Sequence, residues 1–483
     1  MKKKSIGVNA FLNSIRNILN IIFPLITFPY VSRVLQVNGI GKYNFSQSVI
    51  SYFVLIAELG IMPYAIREGA RYRDNQEQIN NFCSQIFSIN IISTVIAYIL
   101  LFFCLFLFKN LKNYILCIFI FSLQIFFTTL GTEWIYSIYE DYAYITFRSI
   151  LFQIISIILL FIFVRNKGDY LNYALITVFS SVGANLLNFF NARKYCVIRF
   201  TTHIEWNKHL KPILLIFASL VTATIYINSD ITLLGIIKND YIVGLYSVSS
   251  KIYSIIKTLL TSVYIVAVPR LSLYLGKGKK DNYLQLLSSI TINLLLLILP
   301  AMIGLFMLSR NILLILSGKS YLAGTTSLQI LCFALIFAML SGDLYECVLI
   351  PSRREKYILI GATVSSTVNL ILNIILIPLW GQNAAALSTV VAEFITCLID
   401  GYFSKDLISN IVKSKKLFKN IIQSLIGCIG IIVMCILCDA YINPLVLKTI
   451  FSVLFSVIIY VIILLIEKNE VVMYLFGKLK NKF

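Results

Sequence analysis

The chain is 483 residues long, 59% apolar, 13% aromatic and only 13% charged, with a mean hydropathy of +0.87. Water-soluble domains run nearer 45–50% apolar and about 25% charged, so a soluble globular protein is excluded. The net charge of +20 would suit nucleic acid only if it were gathered on a polar surface, and the distribution along the chain shows that it is not.

Apolar runs of about 20 residues suffice to cross a bilayer as a helix. They recur from end to end and predict fourteen spans: 10–35, 41–63, 82–108, 114–138, 145–164, 170–192, 212–237, 241–269, 284–309, 324–351, 357–379, 383–404, 421–438 and 449–466. With the N-terminus placed inside, the basic segments Arg67–Arg73, Arg193–Lys211, Arg270–Lys280, Arg353–Lys356 and Lys405–Lys419 all fall on one side. Of the 41 Lys/Arg, 27 then lie in cytoplasmic segments and 8 in outer ones, the positive-inside bias of an inner (plasma) membrane protein. Both termini are expected in the cytoplasm. The basic balance therefore reports orientation and contact with anionic lipid, not nucleic acid. Lys2, Lys3 and Lys4 flank the first span. Arg16 interrupts its apolar run and no small-residue cleavage site follows, so this segment reads as a retained span.

The chemistry that is missing narrows the function. Ten cysteines are scattered through apolar segments and read as small buried hydrophobes. Cys435 and Cys438 form a CxxC with no second pair and no nearby His, so no metal or redox site is expected. The only histidines, His203 and His209, share one loop. Gly318-Lys319-Ser320 resembles the end of a phosphate-binding loop, but Leu313 stands where its first Gly belongs. Primary pumping by ATP is thus not expected, and no cofactor is called for. The longest outer loop, Arg310–Ala323, is short for a catalytic domain. An enzyme is therefore disfavoured, and secondary transport remains.

Transporters of that kind are often built from repeated bundles. Offsetting the chain by 203 residues lays Gly41-Lys42-Tyr43-Asn44-Phe45-Ser46 over Gly244-Leu245-Tyr246-Ser247-Val248-Ser249. This places the second span over the eighth, six helices apart and in the same orientation. The division expected is an N-lobe at 1–192, an inter-lobe loop at 193–211, a C-lobe at 212–404, and a segment 405–483 carrying the last two spans. The fold class is an all-α polytopic membrane protein, with two six-helix lobes around a central cavity plus two C-terminal helices.

Ionisable groups within spans are costly unless paired or hydrated, and each is a functional candidate. Arg16 lies in span one. Lys251 and Lys257 lie in span eight, roughly 15 and 24 Å from its outer end at 1.5 Å per residue. With Arg148 near the inner end of span five, they would make a cationic cavity wall suited to pyrophosphate. Glu393 near the middle of span twelve, Asp230 in span seven, Asp343 in span ten and Glu58 in span two are candidates for ion coupling or gating. Asp230 and Lys251 are close enough in depth to pair across the Lys238–Asp240 turn, which is the structural alternative for both. Near span ends, Arg33 and Lys42 read as interfacial anchors.

Several stretches carry a more specific signal. Phe28-Pro29-Tyr30-Val31-Ser32-Arg33-Val34-Leu35 with Gly39 and Gly41, Ala57-Glu58-Leu59-Gly60, Arg67-Glu68-Gly69-Ala70-Arg71-Tyr72-Arg73, and Glu133-Trp134 with Arg148 lie in the first half. Asn228-Ser229-Asp230, Gly244-Leu245-Tyr246, Lys251, Pro269, Ile350-Pro351, Arg354-Glu355-Lys356-Tyr357, Asn369, Asn373, Ile377-Pro378 and Ala384-Ala385-Ala386 follow. Over about 1–405 the chain resembles the O-antigen flippase (Wzx) and capsular polysaccharide transporter family of the multidrug/oligosaccharidyl-lipid/polysaccharide (MOP) flippase superfamily. The resemblance implies translocation of undecaprenyl-pyrophosphate-linked oligosaccharide repeat units across the bacterial inner membrane. It also implies alternating access between two six-helix lobes, coupled to H⁺ or Na⁺. A polysaccharide polymerase and a chain-length regulator are the protein partners it suggests. In related lipid II flippases the last two helices hold the lipid tail, which suggests the same use for 421–466. The sequence departs from the family's pattern at Gln382-Asn383, which follow Gly381 where Gly is common. The alternatives left open are a multidrug or cation antiporter of the same superfamily and a membrane polysaccharide polymerase.

Overall fold

In the computed structural model, residues 6–480 are described, with side chains from residue 23 to 474 except residue 25. The described residues form helices joined by short turns. The first is α1 (Ile6–Glu58), followed by α2 (Ile61–Tyr72), α3 (Gln76–Leu107), α4 (Ile115–Gly131), α5 (Glu133–Ile138), α6 (Tyr142–Phe163), α7 (Tyr170–Val182) and α8 (Asn185–Ala192). Then come α9 (Trp206–Ile237), α10 (Asp240–Ile265), α11 (Val268–Gly276), α12 (Lys280–Leu316) and α13 (Thr325–Leu344). The chain closes with α14 (Glu355–Trp380), α15 (Gln382–Val412), α16 (Lys415–Tyr441), α17 (Leu445–Ile466) and α18 (Glu470–Lys480).

Among the described residues, thirteen helical stretches are long and apolar enough to cross a membrane. The first, Ile26–Tyr72, contains a non-helical residue, Gln36, at φ 56° and ψ −175°. That break separates the two spans expected at 10–35 and 41–63, which run as one helix with a kink rather than as helix, loop and helix. Helical spans are the natural solution here because apolar surroundings offer no partner for an open backbone group. The ends that leave this regime are capped by side chains. Asn75 accepts from the backbone N–H groups of Glu77 and Gln78 at the start of α3, and Ser414 from Leu417 N at the start of α16.

Packing within the chain gives two units, one ending at Gly244 and the other beginning at Leu245. The sequence reading ends its first lobe at residue 192 and starts its second at 212. The boundary drawn by contacts, at Gly244, groups α9 with the N-terminal unit.

In the N-terminal unit a core of Tyr64, Phe82, Ile86, Trp134, Tyr136 and their neighbours is fully buried. His209 anchors its edge. The Tyr64 hydroxyl lies 2.7 Å from His209 Nδ1, and His209 Nε2 lies 3.1 Å from Gln85 Oε1. In the C-terminal unit, α14 and α15 are joined by amides rather than by hydrophobic bulk alone. Asn373 donates to Asn369, Asn369 to Ser388, and Ser388 Oγ back to Asn373 Oδ1. Such closed polar circuits are how helices specify partners where all surfaces are apolar.

The internal repeat has a structural counterpart. A Cβ added to Gly41 would lie 1.8 Å from the Asp240 carbonyl oxygen, and one added to Gly244 would lie 2.1 Å from the Val37 carbonyl oxygen. The offset of 203 that superposes Gly41 on Gly244 also superposes Val37 on Asp240. The two contacts are therefore reciprocal, as a local two-fold requires. Both are backbone-to-backbone approaches that only glycine permits. Gly41→Ala or Gly244→Ala is expected to lower stability by about 1–3 kcal/mol, or to abolish folded yield. Gly276→Ala, with nothing near its added methyl, should be neutral. Thermal unfolding of the purified chain in detergent checks this, and equal midpoints for all three variants would refute the close-approach account.

Candidate functional site

The ionisable residues of the C-terminal unit converge on α15. Tyr253 and Lys257 stand four apart on one face of α10, and both reach Glu393. Lys257 Nζ lies 2.6 Å from Glu393 Oε1, and the Tyr253 hydroxyl donates to the same oxygen at 3.3 Å. The Lys257 ammonium also sits 5.8 Å from the Tyr253 ring centroid. Glu393 is buried at 5% exposure, whereas the Lys257 side chain is 33% exposed. The carboxylate is thus held from inside while the cation keeps access to the surroundings.

Seven residues on, and so on the same face of α15, Asp400 is buried at 2% exposure. Its Oδ2 accepts from Ser341 Oγ at 2.7 Å, and its Oδ1 has no hydrogen-bond partner. A Cβ added to Gly361 of α14 would come 3.3 Å from that Oδ1, so the glycine leaves room for the carboxyl. Asp343 on α13 repeats the pattern, with Thr291 donating to Oδ2 at 2.7 Å and Oδ1 unpartnered. Immediately after it, Tyr345–Leu349 form a single π-helical turn that carries Glu346. Such turns insert a residue into a helix and are common at functional sites.

The N-terminal unit holds a second ion pair. Arg148 Nη2 donates to Glu133 Oε1 at 2.7 Å, and Nη1 approaches the Ala184 carbonyl at 3.4 Å. The Arg148 side chain is 7% exposed, and its Nε has no partner. Glu133 opens α5 just after Thr132, whose left-handed backbone (φ 41°) breaks the span. Glu58 is the last residue of α1 and an electrostatic neighbour of Glu133. Asp230 is buried on α9. Two residues on, Thr232 donates to Ser48 Oγ at 3.0 Å, and its hydroxyl lies 3.3 Å from that of Tyr52.

Of the eight residues singled out from sequence, Lys257 and Glu393 are brought together as one pair, although they had been assigned separate duties. Arg148 is locked to Glu133. Lys251 is partly buried and makes no hydrogen bond or ion pair among the described residues. Asp343 is held by Thr291, and Glu58 has Glu133 as an electrostatic neighbour. The side chain of Arg16 lies outside the described residues. The site also includes Asp400, which stands out in the sequence as a charge near the inner end of its span, and Tyr253, Ser341 and Thr291, of which only Tyr253 had a signal, four residues before Lys257. Among the described residues no group of three or more His, Cys, Asp or Glu is arranged to hold a metal ion.

The C-terminal unit also holds an apolar cavity of about 1300 Å³ between α10, α12, α16, α17 and α18, with Ile256, the residue before Lys257, in its lining. Pro300 and Gly304 open the α12 side of it, and Val453, Val457 and Val461 line the α17 side. The Tyr460 hydroxyl fixes α17 to α12 by donating to the Leu296 carbonyl at 2.8 Å, and it lies 2.7 Å from Ser424 Oγ.

These arrangements have relatives. Residues 6–275 match the family described as polysaccharide biosynthesis protein. A protein of Escherichia coli strain K12, named as a candidate O-antigen transporter, is 25% identical over 284 residues, covering 56% of this chain and 66% of its own length. A Shigella dysenteriae protein of the same name is 22% identical over 386 residues, covering 78% of this chain and 95% of its own. The chain thus spans just under two thirds of the first relative and nearly all of the second. Among solved structures, the lipid II flippase MurJ in an inward closed conformation superposes with a TM-score of 0.77 over 96% of this chain and 100% of its own, at 19% identity. An inward-facing multidrug resistance transporter of the MATE family and MOP superfamily superposes with a TM-score of 0.60 over 80% of this chain and 96% of its own, at 11% identity. The fold is therefore that of the MOP transporters, and by the match over more than half its length the chain belongs to the polysaccharide biosynthesis protein family.

Proposed function

We propose that this protein is a flippase. It moves undecaprenyl-pyrophosphate-linked oligosaccharide repeat units, precursors of O-antigen or capsule, from the cytoplasmic to the outer leaflet of the bacterial inner membrane. The observation that carries this reading is the half-accessible Lys257–Glu393 pair in a unit that also holds a large apolar cavity. A half-accessible ammonium suits a diphosphate, and the cavity suits part of a polyisoprenyl tail. Both are needed by an amphiphilic cargo, and neither suits a small soluble one. The likeness to O-antigen transporters in name and to MurJ in fold supports it.

The mechanism keeps all bonds of the cargo intact. With no cargo, Glu393 neutralises Lys257. A diphosphate arriving at Lys257 competes with Glu393 for the ammonium, and the released carboxylate then needs a new partner in a low-dielectric setting. A proton or Na⁺ meets that need, which is how transport is coupled to an ion gradient. Asp230, Asp343 and Glu58 belong to the same coupling and gating set. Arg16, Lys251 and Arg148 complete the cationic wall, with Arg148 contributing through its hold on Glu133. The six-helix lobes at 1–192 and 212–404 are the moving bodies of this alternating-access scheme, with both termini in the cytoplasm. A polymerase and a chain-length regulator receive the product.

Deletion of the gene is expected to leave the undecaprenyl-linked unit on the cytoplasmic leaflet, with loss of surface polymer. Accumulation on the outer leaflet would replace this reading with a polymerase. Unchanged polymer together with new drug sensitivity would favour an extrusion antiporter.

Lys257→Met strands a buried carboxylate. Breaking a buried pair costs about 3–5 kcal/mol, and the exposure of Lys257 reduces this to about 2 kcal/mol. The double variant Lys257→Met/Glu393→Leu is expected to recover most of that loss in thermal unfolding, yet to flip no cargo. If the double variant restored surface polysaccharide to the normal level, the pair would be structural only.

A further inference from the structure

A second cavity, of about 730 Å³, lies where α15 turns into α16. Lys413, Lys415 and Lys419 line it, and none of their side chains makes a hydrogen bond or ion pair among the described residues, while Lys419 is an electrostatic neighbour of Glu470. The fourth lysine of the turn, Lys416, is by contrast engaged with Glu470 at 2.8 Å. The one acid in the lining is Glu467. Its Oε2 is buried without a hydrogen-bond partner, and burial raises its carboxyl above the ordinary value. With three lysines against this one acid, the cavity carries a net positive charge.

The wall behind these lysines is rigid. Asn469 donates to Asn420 Oδ1 at 2.8 Å and to Gln423 Oε1 at 2.7 Å, while Gln423 donates to the Glu467 carbonyl at 2.9 Å. The floor is apolar and leads out of the cavity. Phe418 and Ile422 are 66% and 42% exposed, and the same face of α16 continues through Ile429, Val433 and Ile436, all exposed. An exposed apolar stripe on a spanning helix, headed by unpaired cations, is the outline of an amphiphile: a charged group at the end of the helix and a chain along its side.

We propose that this cavity binds the phosphate headgroup of an anionic bilayer phospholipid, with one acyl chain lying along the Phe418–Ile436 face of α16. In the orientation given by the basic loops the lipid belongs to the cytoplasmic leaflet. It acts as a fixed ligand joining α15, α16 and the α17–α18 turn, separate from the cargo held at Lys257. The assignment rests on membrane embedding and not on what the protein carries, so its failure leaves the flippase reading to be judged by the leaflet assay above.

The test is native mass spectrometry of the full chain released from detergent and titrated with dioleoylphosphatidylglycerol, dioleoylphosphatidylcholine or undecaprenyl diphosphate. The unmodified protein should hold phosphatidylglycerol at least about tenfold more tightly than phosphatidylcholine, since each lysine near a lipid surface contributes about 1 kcal/mol. Lys413→Gln/Lys415→Gln/Lys419→Gln should lose that preference while keeping its unfolding midpoint, and the matching triple Arg variant should retain it. An undiminished preference in the Gln variant would overturn the proposal. So would displacement of phosphatidylglycerol by equimolar undecaprenyl diphosphate in the unmodified protein but not in the Gln variant, which would assign the cavity to the cargo. A Gln variant that fails to fold passes the decision to Phe418→Asp, which blocks the chain path and should lower phosphatidylglycerol binding to the phosphatidylcholine level.

Discussion

A carboxylate among apolar helices must be paired, hydrogen-bonded or neutralised, because hydrocarbon offers nothing to solvate it. That single cost organises the ionisable groups of this protein. Glu393 is held by Lys257 and Tyr253, Glu133 by Arg148, Asp343 by Thr291 and Asp400 by Ser341. The last two are the informative ones. A serine or threonine hydroxyl satisfies one oxygen of a carboxyl and leaves the other unpartnered, an arrangement far less complete than an ion pair. Groups left in this condition are those with something to gain from a change of partner or of protonation state.

The backbone is interrupted beside three of the acids. Glu58 ends α1 immediately before Leu59 and Gly60, both in left-handed conformations, and Glu133 follows Thr132 in the same region. Glu346 lies in the π-helical turn that ends α13. Each interruption frees backbone groups that a continuous helix would satisfy internally. Such a loss is tolerated only where neighbouring polar groups or a lined cavity compensate. Charge and a backbone break coincide at these three places, whereas Glu393 and Asp400 lie within the continuous α15.

Much of the architecture was legible in the sequence, because a span of about 20 apolar residues is a long signal that no local propensity overrides. The loop expected at 36–40 coincides with the break at Gln36 inside the fifty-three-residue α1. The break at Thr132, at positive φ, was not legible, since the apolar run expected as one span continues through it to 138. The grouping of α9 with the N-terminal unit was also invisible, since hydropathy identifies spans without saying what they pack against. The site was legible by residue but not by pairing. Lys257 and Glu393 each stood out as charges within spans, yet they are 136 positions apart and no spacing rule links them. Shorter-range links were available and indirect: Tyr253 shares the face of Lys257, and Asp400 that of Glu393. The repeat fared better, because the glycines that betray it do so for a steric reason that survives in the reciprocal approach of Gly41 and Gly244.

The two ion pairs differ in a way that separates support from exchange. Arg148 is 7% exposed and spreads its guanidinium over a carboxylate and a backbone carbonyl. A planar fork fixed by two acceptors resists displacement. Lys257 is 33% exposed and offers its point charge to one oxygen of Glu393. An ammonium held by one acceptor, with a side open to the surroundings, can trade that acceptor for a phosphate without leaving its own charge buried and unpaired. The carboxylate it abandons has no such freedom, being 5% exposed with only Tyr253 to retain it. In the proposed exchange the cost falls on Glu393, and an ion that relieved that cost would be bound to the arrival of cargo by the same free energy.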